Sequence, residues 1–157
     1  MKKTIQKLLL CLTVFTLVVS SFGGSVALAA SSSYYKSGKS IYTSSGVNIH
    51  KNNFASKATV ITYTMSVNGK PVGTWSIDKK TAPFSHYAQS STTMYVGAKN
   101  VKEKNNTVTV KACYRNGYNY KEYSCKQATA TGLTGKQVDT KTFRLNVDKS
   151  GKTTLKY

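Results

Sequence analysis

The most regular alternation of apolar and polar residues lies in the first half of the chain. Within residues 61–67, Ile, Tyr, Met and Val alternate with Thr and Ser, a period of two that predicts a half-buried β-strand. The Asn68-Gly69 dipeptide that follows favours a two-residue hairpin turn, because both residue types tolerate positive φ angles. A return strand over residues 72–78 would place Trp75 on an apolar face, and we interpret this single tryptophan as a core residue.

The same period of two recurs along the rest of the chain. Residues 131–138 have the composition of a turn-rich link, and no segment shows a convincing helical period. Roughly eight short strands at hairpin spacing predict an all-β protein, a single antiparallel β-sandwich or barrel of about 7–8 short strands. Besides the first hairpin, strands are predicted near residues 92–98, 107–114, 120–130, 143–147 and 155–157, with one or two short strands within residues 41–52.

The first 29 residues have the pattern of an export signal. Three lysines precede an apolar run over residues 8–15, and a small-x-small cleavage site ends at Ala29. This arrangement predicts a secretory signal peptide over residues 1–29, in the form typical of bacteria, and therefore a secreted protein. Residues 30–40 are polar and without periodicity, which predicts a flexible N-terminal segment. We expect residues 41–157 to form one all-β domain.

The chain is strongly basic. It carries 23 Lys and Arg residues against five Asp and Glu residues, and all but three of the basic residues follow the predicted leader, which leaves a surplus of 15 positive charges. Such a surplus attracts polyanions and exceeds what solubility requires. The expected partner is an anionic cell-wall polymer, an acidic polysaccharide or extracellular DNA, with an anionic membrane surface as an alternative. We expect the cationic side chains to gather over one side of the fold.

The segment CYRNGYNYKEYSC, residues 113–125, contains the two cysteines that lie outside the leader. Export favours their oxidation, and a hairpin with its tip at residues 118–120 would place Cys113 and Cys125 opposite each other. We predict a disulfide bond between them, which stabilises the fold by roughly 3 kcal/mol in the chain-entropy model. The alternatives are a pair of reduced, buried thiols and a free catalytic thiol.

Tyrosines alternate with cations in and around the same segment. Tyrosine rings stack on sugars or bases while Lys and Arg hold anionic groups, so this pattern is typical of polyanion binding. The alternative is that the tyrosines are ordinary strand residues that pack across the hairpin. The predicted polyanion-binding residues are Lys111, Arg115, Tyr118, Tyr120, Lys121 and Lys126.

Few residues suggest an enzyme. His50 and His86 have no companion at metal-ligand spacing, the acidic residues form no obvious pair, and a thiol nucleophile at Cys125 would need an imidazole beside it. We therefore expect a non-enzymatic protein without a metal or cofactor. Two other functions stay open, namely an antimicrobial or toxin-like effector on anionic membranes and an inhibitor of a secreted enzyme.

Overall fold

The computed structural model of the chain describes residues 40–54, 58–79, 86–117 and 121–157. The predicted signal peptide, residues 1–29, and all but the last residue of the predicted flexible segment lie outside the described residues. The described elements, besides 3₁₀ turns at Lys51–Asn53 and Ala98–Asn100, are β1 (Ile41–His50), β2 (Val60–Val67), β3 (Lys70–Asp78), β4 (Tyr87–Val96), β5 (Asn106–Arg115), β6 (Glu122–Leu133), α1 (Gly135–Thr140), β7 (Thr142–Val147) and β8 (Thr153–Lys156).

The strands form two four-stranded sheets. The first sheet has the order β4-β1-β7-β8 and the second sheet the order β3-β2-β5-β6. Neighbouring strands are antiparallel except β1 and β7, which run parallel. The sheets form a sandwich rather than a closed barrel, which confirms the predicted all-β class and decides between its two forms. The parallel pair joins segments from the two ends of the domain, so hairpin spacing did not reveal it.

The interior of the sandwich is filled by alternate side chains of the strands. Burial of each large side chain contributes roughly 1.5–3 kcal/mol, so this interior supplies most of the stability. The outward faces carry hydroxyl groups that pair across strands, as Thr64 with Thr74 (3.1 Å) and Thr109 with Thr129 (2.9 Å). The largest fully buried side chains include Tyr63, Tyr114, Phe143, Ile41, Ile49, Ile61, Met65, Leu133 and Leu145.

The first hairpin confirms the predicted turn and corrects the role of its tryptophan. Asn68 and Gly69 have φ angles of 50° and 77°, as a turn with two left-handed residues requires. Trp75 was predicted to be a core residue, but 45% of it is exposed. It stands opposite the buried Tyr63, on the core-facing side of β3, but β3 is the edge strand of its sheet. An edge position leaves one flank of such a ring open to solvent.

The link predicted as turn-rich contains the helix α1. Thr134 is its N-cap: Gln137 N donates to Thr134 Oγ1 (3.2 Å) and Thr134 N donates to Gln137 Oε1 (2.8 Å). This reciprocal pair is a capping box, which the Thr-x-x-Gln sequence signals. The helix has six residues, too few to display a helical period. Val138 fixes it to the core, because its side chain is fully buried.

A buried asparagine ties several connections together where β5 begins. Asn106 Nδ2 donates to Lys102 O (2.7 Å) and Leu133 O (3.0 Å). Its Oδ1 accepts from Lys102 N (2.8 Å) and from Asn68 Nδ2 (2.9 Å). Both donor and both acceptor positions of the amide are therefore used. This one side chain links the β2–β3 turn, the connection before β5 and the end of β6.

Two buried phenols lie inside the sandwich. Burial raises the pKa of Tyr114 from 10.0 to about 12, and no described group accepts a hydrogen bond from its hydroxyl. Burial also raises the pKa of Tyr63, although the Ser90 hydroxyl and the Arg144 guanidinium lower it in part. Both environments favour the neutral phenol over the phenolate.

The Asn106→Ala variant should lose about 3 kcal/mol or more of its free energy of unfolding, because the backbone groups of Lys102 and Leu133 lose their buried partner. Urea denaturation of the variant and the parent protein measures this difference. Lys104→Ala, an exposed position in the same connection, is the control and should change stability by less than about 0.5 kcal/mol. Equal losses for the two variants would contradict the role given to Asn106.

The pKa of Tyr114 predicts a loss of stability at high pH. Its pKa is higher in the fold, about 12, than the ordinary 10.0 of the unfolded chain, so the unfolded state loses the phenol proton first. The stabilisation is therefore complete below pH 10 and is lost as the pH rises through 12. Tyr114→Phe should lose less stability than the parent over this interval, and should be at least as stable at neutral pH because an unpaired buried hydroxyl is removed.

Denaturation midpoints measured at several pH values test this expectation. Tyr42→Phe, at a position that is 54% exposed, is the matched control and should follow the parent protein at every pH. An alkaline loss as large in Tyr114→Phe as in the parent would show that another group is responsible.

Candidate functional site

A disulfide bond joins β5 to β6. Cys113 and Cys125 are bonded, with 4.1 Å between their Cα atoms, which confirms the predicted pairing and removes the reduced-thiol and catalytic-thiol alternatives. The β5–β6 register shifts between Ala112 and Tyr114, so that two residues of β6 stand opposite Cys113. Ser124, with a φ of 25°, takes up the extra residue as a β-bulge. The bond therefore crosses the ladder at its one irregular step near the hairpin tip.

Two of the predicted binding cations lie on the outward face of the second sheet. Arg115 stands opposite Glu122 in the β5–β6 register, and Lys111 Nζ lies 3.7 Å from Glu122 Oε2. Both partners of this ion pair are nearly half exposed, so its contribution to stability is on the order of 0–1 kcal/mol. Lys121 lies nearby along the chain, and its Nζ is 6.0 Å from the centroid of the Tyr123 ring.

The remaining predicted cation lies on the other face of the hairpin. Lys126 stands opposite the buried Ala112, so it leaves β6 on the core-facing side, at the open edge of the sandwich. Its Nζ reaches the β7–β8 turn, where a Cβ atom placed on Gly151 would lie 3.8 Å away. Tyr118 and Tyr120 lie outside the described residues. The predicted cations therefore do not share one face.

The strand directions give the sandwich two ends. β1, β3, β5 and β7 finish at one end, where β2, β4, β6 and β8 begin, as the registers show. The end where β1, β3, β5 and β7 finish, which we call the upper end, contains residues 50–54, 58–59, 78–79, 86, 115–117, 121–126 and 148–152. The opposite end, which we call the lower end, contains residues 40, 68–70, 97–105, 134–141 and 156–157.

Hydrogen bonds draw the connections of the upper end together. In the first sheet, Lys51 N donates to His86 O (2.8 Å), and the Asn53 side chain donates to Asp148 O. These two bonds place the end of β1 between the start of β4 and the β7–β8 turn. Lys126 Nζ meets the same turn from the second sheet, so three connections and a side chain of β6 meet there.

Thr59 performs the same role in the second sheet. Its backbone N–H donates to Arg115 O (2.8 Å), and its carbonyl accepts from Lys79 N (2.8 Å). Gly117 N donates to the Thr59 hydroxyl oxygen. The backbones of Lys79, which follows β3, and of Arg115, which ends β5, are thereby held on either side of Thr59. The upper end as a whole presents Lys51, Lys79, Arg115, Lys121, Lys126, Lys149 and Lys152.

The Asp148 side chain accepts the hydrogen bonds that close the β7–β8 turn at the upper end. Its Oδ1 accepts from Ser150 Oγ (2.6 Å), Ser150 N (2.9 Å) and Lys152 N (3.0 Å). These bonds, with that from the Ser150 hydroxyl first, hold the pKa of the carboxyl below its ordinary value. The carboxylate therefore stabilises the turn, and the Lys149 and Lys152 side chains are exposed to solvent.

The cations do not gather over one side, and that expectation is wrong. Among the described residues, the lower end presents as many Lys and Arg side chains as the upper end, and Lys111 and Arg144 lie on the outward sheet faces. The reason is topological, because lysines are almost never fully buried, connections run over the surface, and strands that alternate in direction distribute their connections over both ends. The cations of the lower end are Lys70, Lys99, Lys102, Lys104, Lys136, Lys141 and Lys156.

Sequence reasoning missed the upper-end cations outside the hairpin. Lys51, Lys149 and Lys152 reach the hairpin side of the molecule only because β1 and β7 pair in parallel. No local pattern signals this pairing, since the two strands are nearly 100 residues apart in the chain. The predicted strands near residues 143–147 and 155–157 imply a turn between them, and this turn was the only signal available for two of these three lysines.

Possible metal ligands come close together at one place among the described residues. Ligand atoms of Cys113, Glu122 and Cys125 lie within 4.8 Å of one another, but the two sulfurs form the disulfide and are not thiolates. His50 Nδ1 accepts from Asn52 N (3.3 Å), and the His50 ring packs edge-on against Tyr87 with 5.1 Å between centroids. Neither arrangement has the chemistry of a metal site.

Comparison of the chain with protein-family models, with curated proteins and with solved structures finds no match. No helix within the described residues is long and apolar enough to cross a membrane. The functional argument therefore depends on the residues themselves.

Removal of the disulfide should lower the free energy of unfolding by about 3 kcal/mol, because the bond closes a loop with a sequence separation of 12. The Cys113→Ala/Cys125→Ala variant, compared with the parent protein by urea denaturation, measures this cost. Added reductant should destabilise the parent protein and leave the variant unchanged. If reductant shifts neither protein, the bond does not form in solution.

Proposed function

We propose that the protein is a secreted, non-enzymatic domain that binds anionic polymers of the bacterial envelope or the extracellular matrix, with the upper end as its principal contact. The observation that carries this proposal is the set of cationic side chains that separate connections present at the strand ends, and the upper end is singled out because the disulfide bond there closes the hairpin that carries Arg115 and Lys121. Five acidic residues cannot neutralise the basic residues of the chain.

The physics of such binding needs no concave pocket. Each lysine reaches solvent on a long flexible side chain, and contact with a polyanion releases the counterions condensed along the polymer. Many weak contacts then add to a strong but salt-sensitive interaction. The disulfide bond and the Thr59 hydrogen bonds hold the connections in place, so less conformational entropy is lost when the polymer binds.

Polymer binding is favoured over membrane insertion by the chemistry of the outward faces. Thr62 and Thr64 of β2 pair with Ser76 and Thr74 of β3 through their hydroxyl groups, and Thr109 of β5 pairs with Thr129 of β6 in the same way. Faces made of hydroxyl groups offer hydrocarbon little apolar area. An inhibitor of a secreted enzyme has no described residue in its favour.

The proposal predicts a salt dependence that charge reversal at the upper end reduces. With duplex DNA as the probe, the logarithm of the binding constant should fall linearly with the logarithm of the salt concentration, and each lost contact should flatten the slope by about 0.9. Lys121→Glu/Lys149→Glu should therefore flatten the slope by about 2. Fluorescence anisotropy with labelled DNA, measured at several salt concentrations, gives the slope.

The lower end supplies the matched control. Lys99→Glu/Lys136→Glu makes the same change in net charge at two exposed positions, and it should flatten the slope by less than half as much. Equal flattening by both pairs would contradict the upper end as the principal contact. Absence of salt-sensitive binding by the parent protein to DNA and to any anionic polysaccharide would contradict the proposed function itself.

A further inference from the structure

The outward side of the first sheet differs in chemistry from the rest of the surface. It carries two aromatic pairs, Tyr42 with Tyr95 and His50 with Tyr87, at opposite ends of the β1–β4 ladder. By contrast, the outward positions of β2 and β5 carry no aromatic ring. We call the outward side of β1, β4 and β7 between these two pairs the tyrosine face.

The aromatic rings of the tyrosine face are unusually exposed. Tyr42 and Tyr95 are 54% and 57% exposed and meet edge to face, with 5.9 Å between ring centroids. At the other end Tyr87 is 40% exposed and meets the His50 ring. Tyr42 and His50 are eight residues apart on one uninterrupted strand, which is about 26 Å at the usual rise. Grouped exposed aromatic residues mark interaction surfaces more often than scattered ones do.

A row of amides crosses the tyrosine face between the aromatic pairs. Asn48 Nδ2 donates to Asn146 Oδ1 (3.1 Å), and Gln89 Nε2 donates to Asn48 Oδ1 (3.4 Å). The row therefore spans β7, β1 and β4 with side chains that already hold one another in place. An amide donates and accepts at the same time, which suits a ligand whose hydroxyl groups do the same.

A fixed cation stands halfway between the aromatic pairs. Arg144 stands beside Gly46 in the β1–β7 register, and its Nη1 donates to Val47 O (3.2 Å) and Ser90 O (3.4 Å). A Cβ atom on Gly46 would lie 3.2 Å from that nitrogen and 2.7 Å from Ser90 O. Glycine at this position is thus what lets the guanidinium lie across the strand.

The charge of the tyrosine face has one sign. None of the outward positions of β1, β4 and β7 is acidic, and Lys156 of β8 stands beside Arg144 in the register. The Asp139 carboxylate, at the lower end, accepts from the backbone N–H of Tyr42 (3.1 Å). The outward positions also lack large aliphatic side chains, so a protein partner would bury little apolar area here.

We propose that the tyrosine face binds a linear polysaccharide that carries carboxylate groups. The sugar rings stack on the exposed tyrosines at the two ends, the amide row meets the hydroxyl groups, and Arg144 receives a carboxylate. The proposal rests on the proposed function, because it names one class of anionic polymer and the surface that recognises its sugars. It assigns saccharide recognition to the first sheet and leaves general polyanion attraction to the cationic ends.

The test compares sugar-based and sugar-free polyanions. Tyr42→Ala/Tyr95→Ala should weaken binding to polygalacturonate and to hyaluronate about tenfold, because ring contact with the sugar is lost. Binding to polyphosphate, which has no sugar rings, should stay within about twofold of the parent protein. Tyr42→Phe/Tyr95→Phe retains the ring faces and should retain most of the polysaccharide affinity. Affinities are measured by titration calorimetry at one fixed salt concentration.

Trp75→Ala is the matched control, because it removes another exposed ring, 45% exposed, that lies outside the tyrosine face. It should leave binding to all three polymers unchanged. The inference is overturned if the tyrosine pair variant loses polyphosphate and polysaccharide binding equally, if it loses neither, or if Trp75→Ala causes the same loss. Retained salt-sensitive DNA binding in that case would leave the proposed function standing, and binding to no polyanion at all would reject both.

Discussion

Burial of the inward faces of two four-stranded sheets against each other is the interaction on which the rest of the structure depends. Once the alternate residues of β1, β2, β5 and β7 are committed to that interior, every chemically useful side chain must lie on an outward face or at a strand end. The two kinds of surface with distinct chemistry are accordingly a sheet face bearing tyrosines and strand ends bearing lysines. Neither surface requires a cavity in the core.

The parallel pairing of β1 with β7 gives this arrangement its specificity. It places β1 at the centre of the first sheet, between β4 and β7, so that Gly46, Asn48 and their neighbours on both sides form one continuous face. It also carries the β7–β8 turn to the end of the molecule where the disulfide-closed hairpin lies. A simple succession of hairpins would have separated these segments, and the amide row from Asn146 to Gln89 could not have formed.

Features encoded by neighbouring residues were predictable from the sequence. The Asn68-Gly69 turn, the hairpin of β7 and β8, the Cys113–Cys125 bond and the all-β class follow from local alternation, turn chemistry or the expected export, whereas the choice between sandwich and barrel was left open. Features that depend on distant pairing were not. The exposure of Trp75 follows from the edge position of β3, and the division of the cations between two ends follows from strand direction. The helix α1 was predictable only in part. Its capping signal is present in the sequence at Thr134, but the helix is too short to show a helical period.

The strand directions also decide where the domain can be attached to anything else. β1 begins and β8 finishes at the lower end, and Tyr157 there stacks on Phe143 with 5.5 Å between ring centroids. A surface, carrier or affinity tag joined at either Ile41 or Tyr157 would therefore lie at the lower end of the sandwich. The hairpin and its surrounding lysines would point away from the point of attachment, so an immobilised molecule would keep the proposed contact surface accessible.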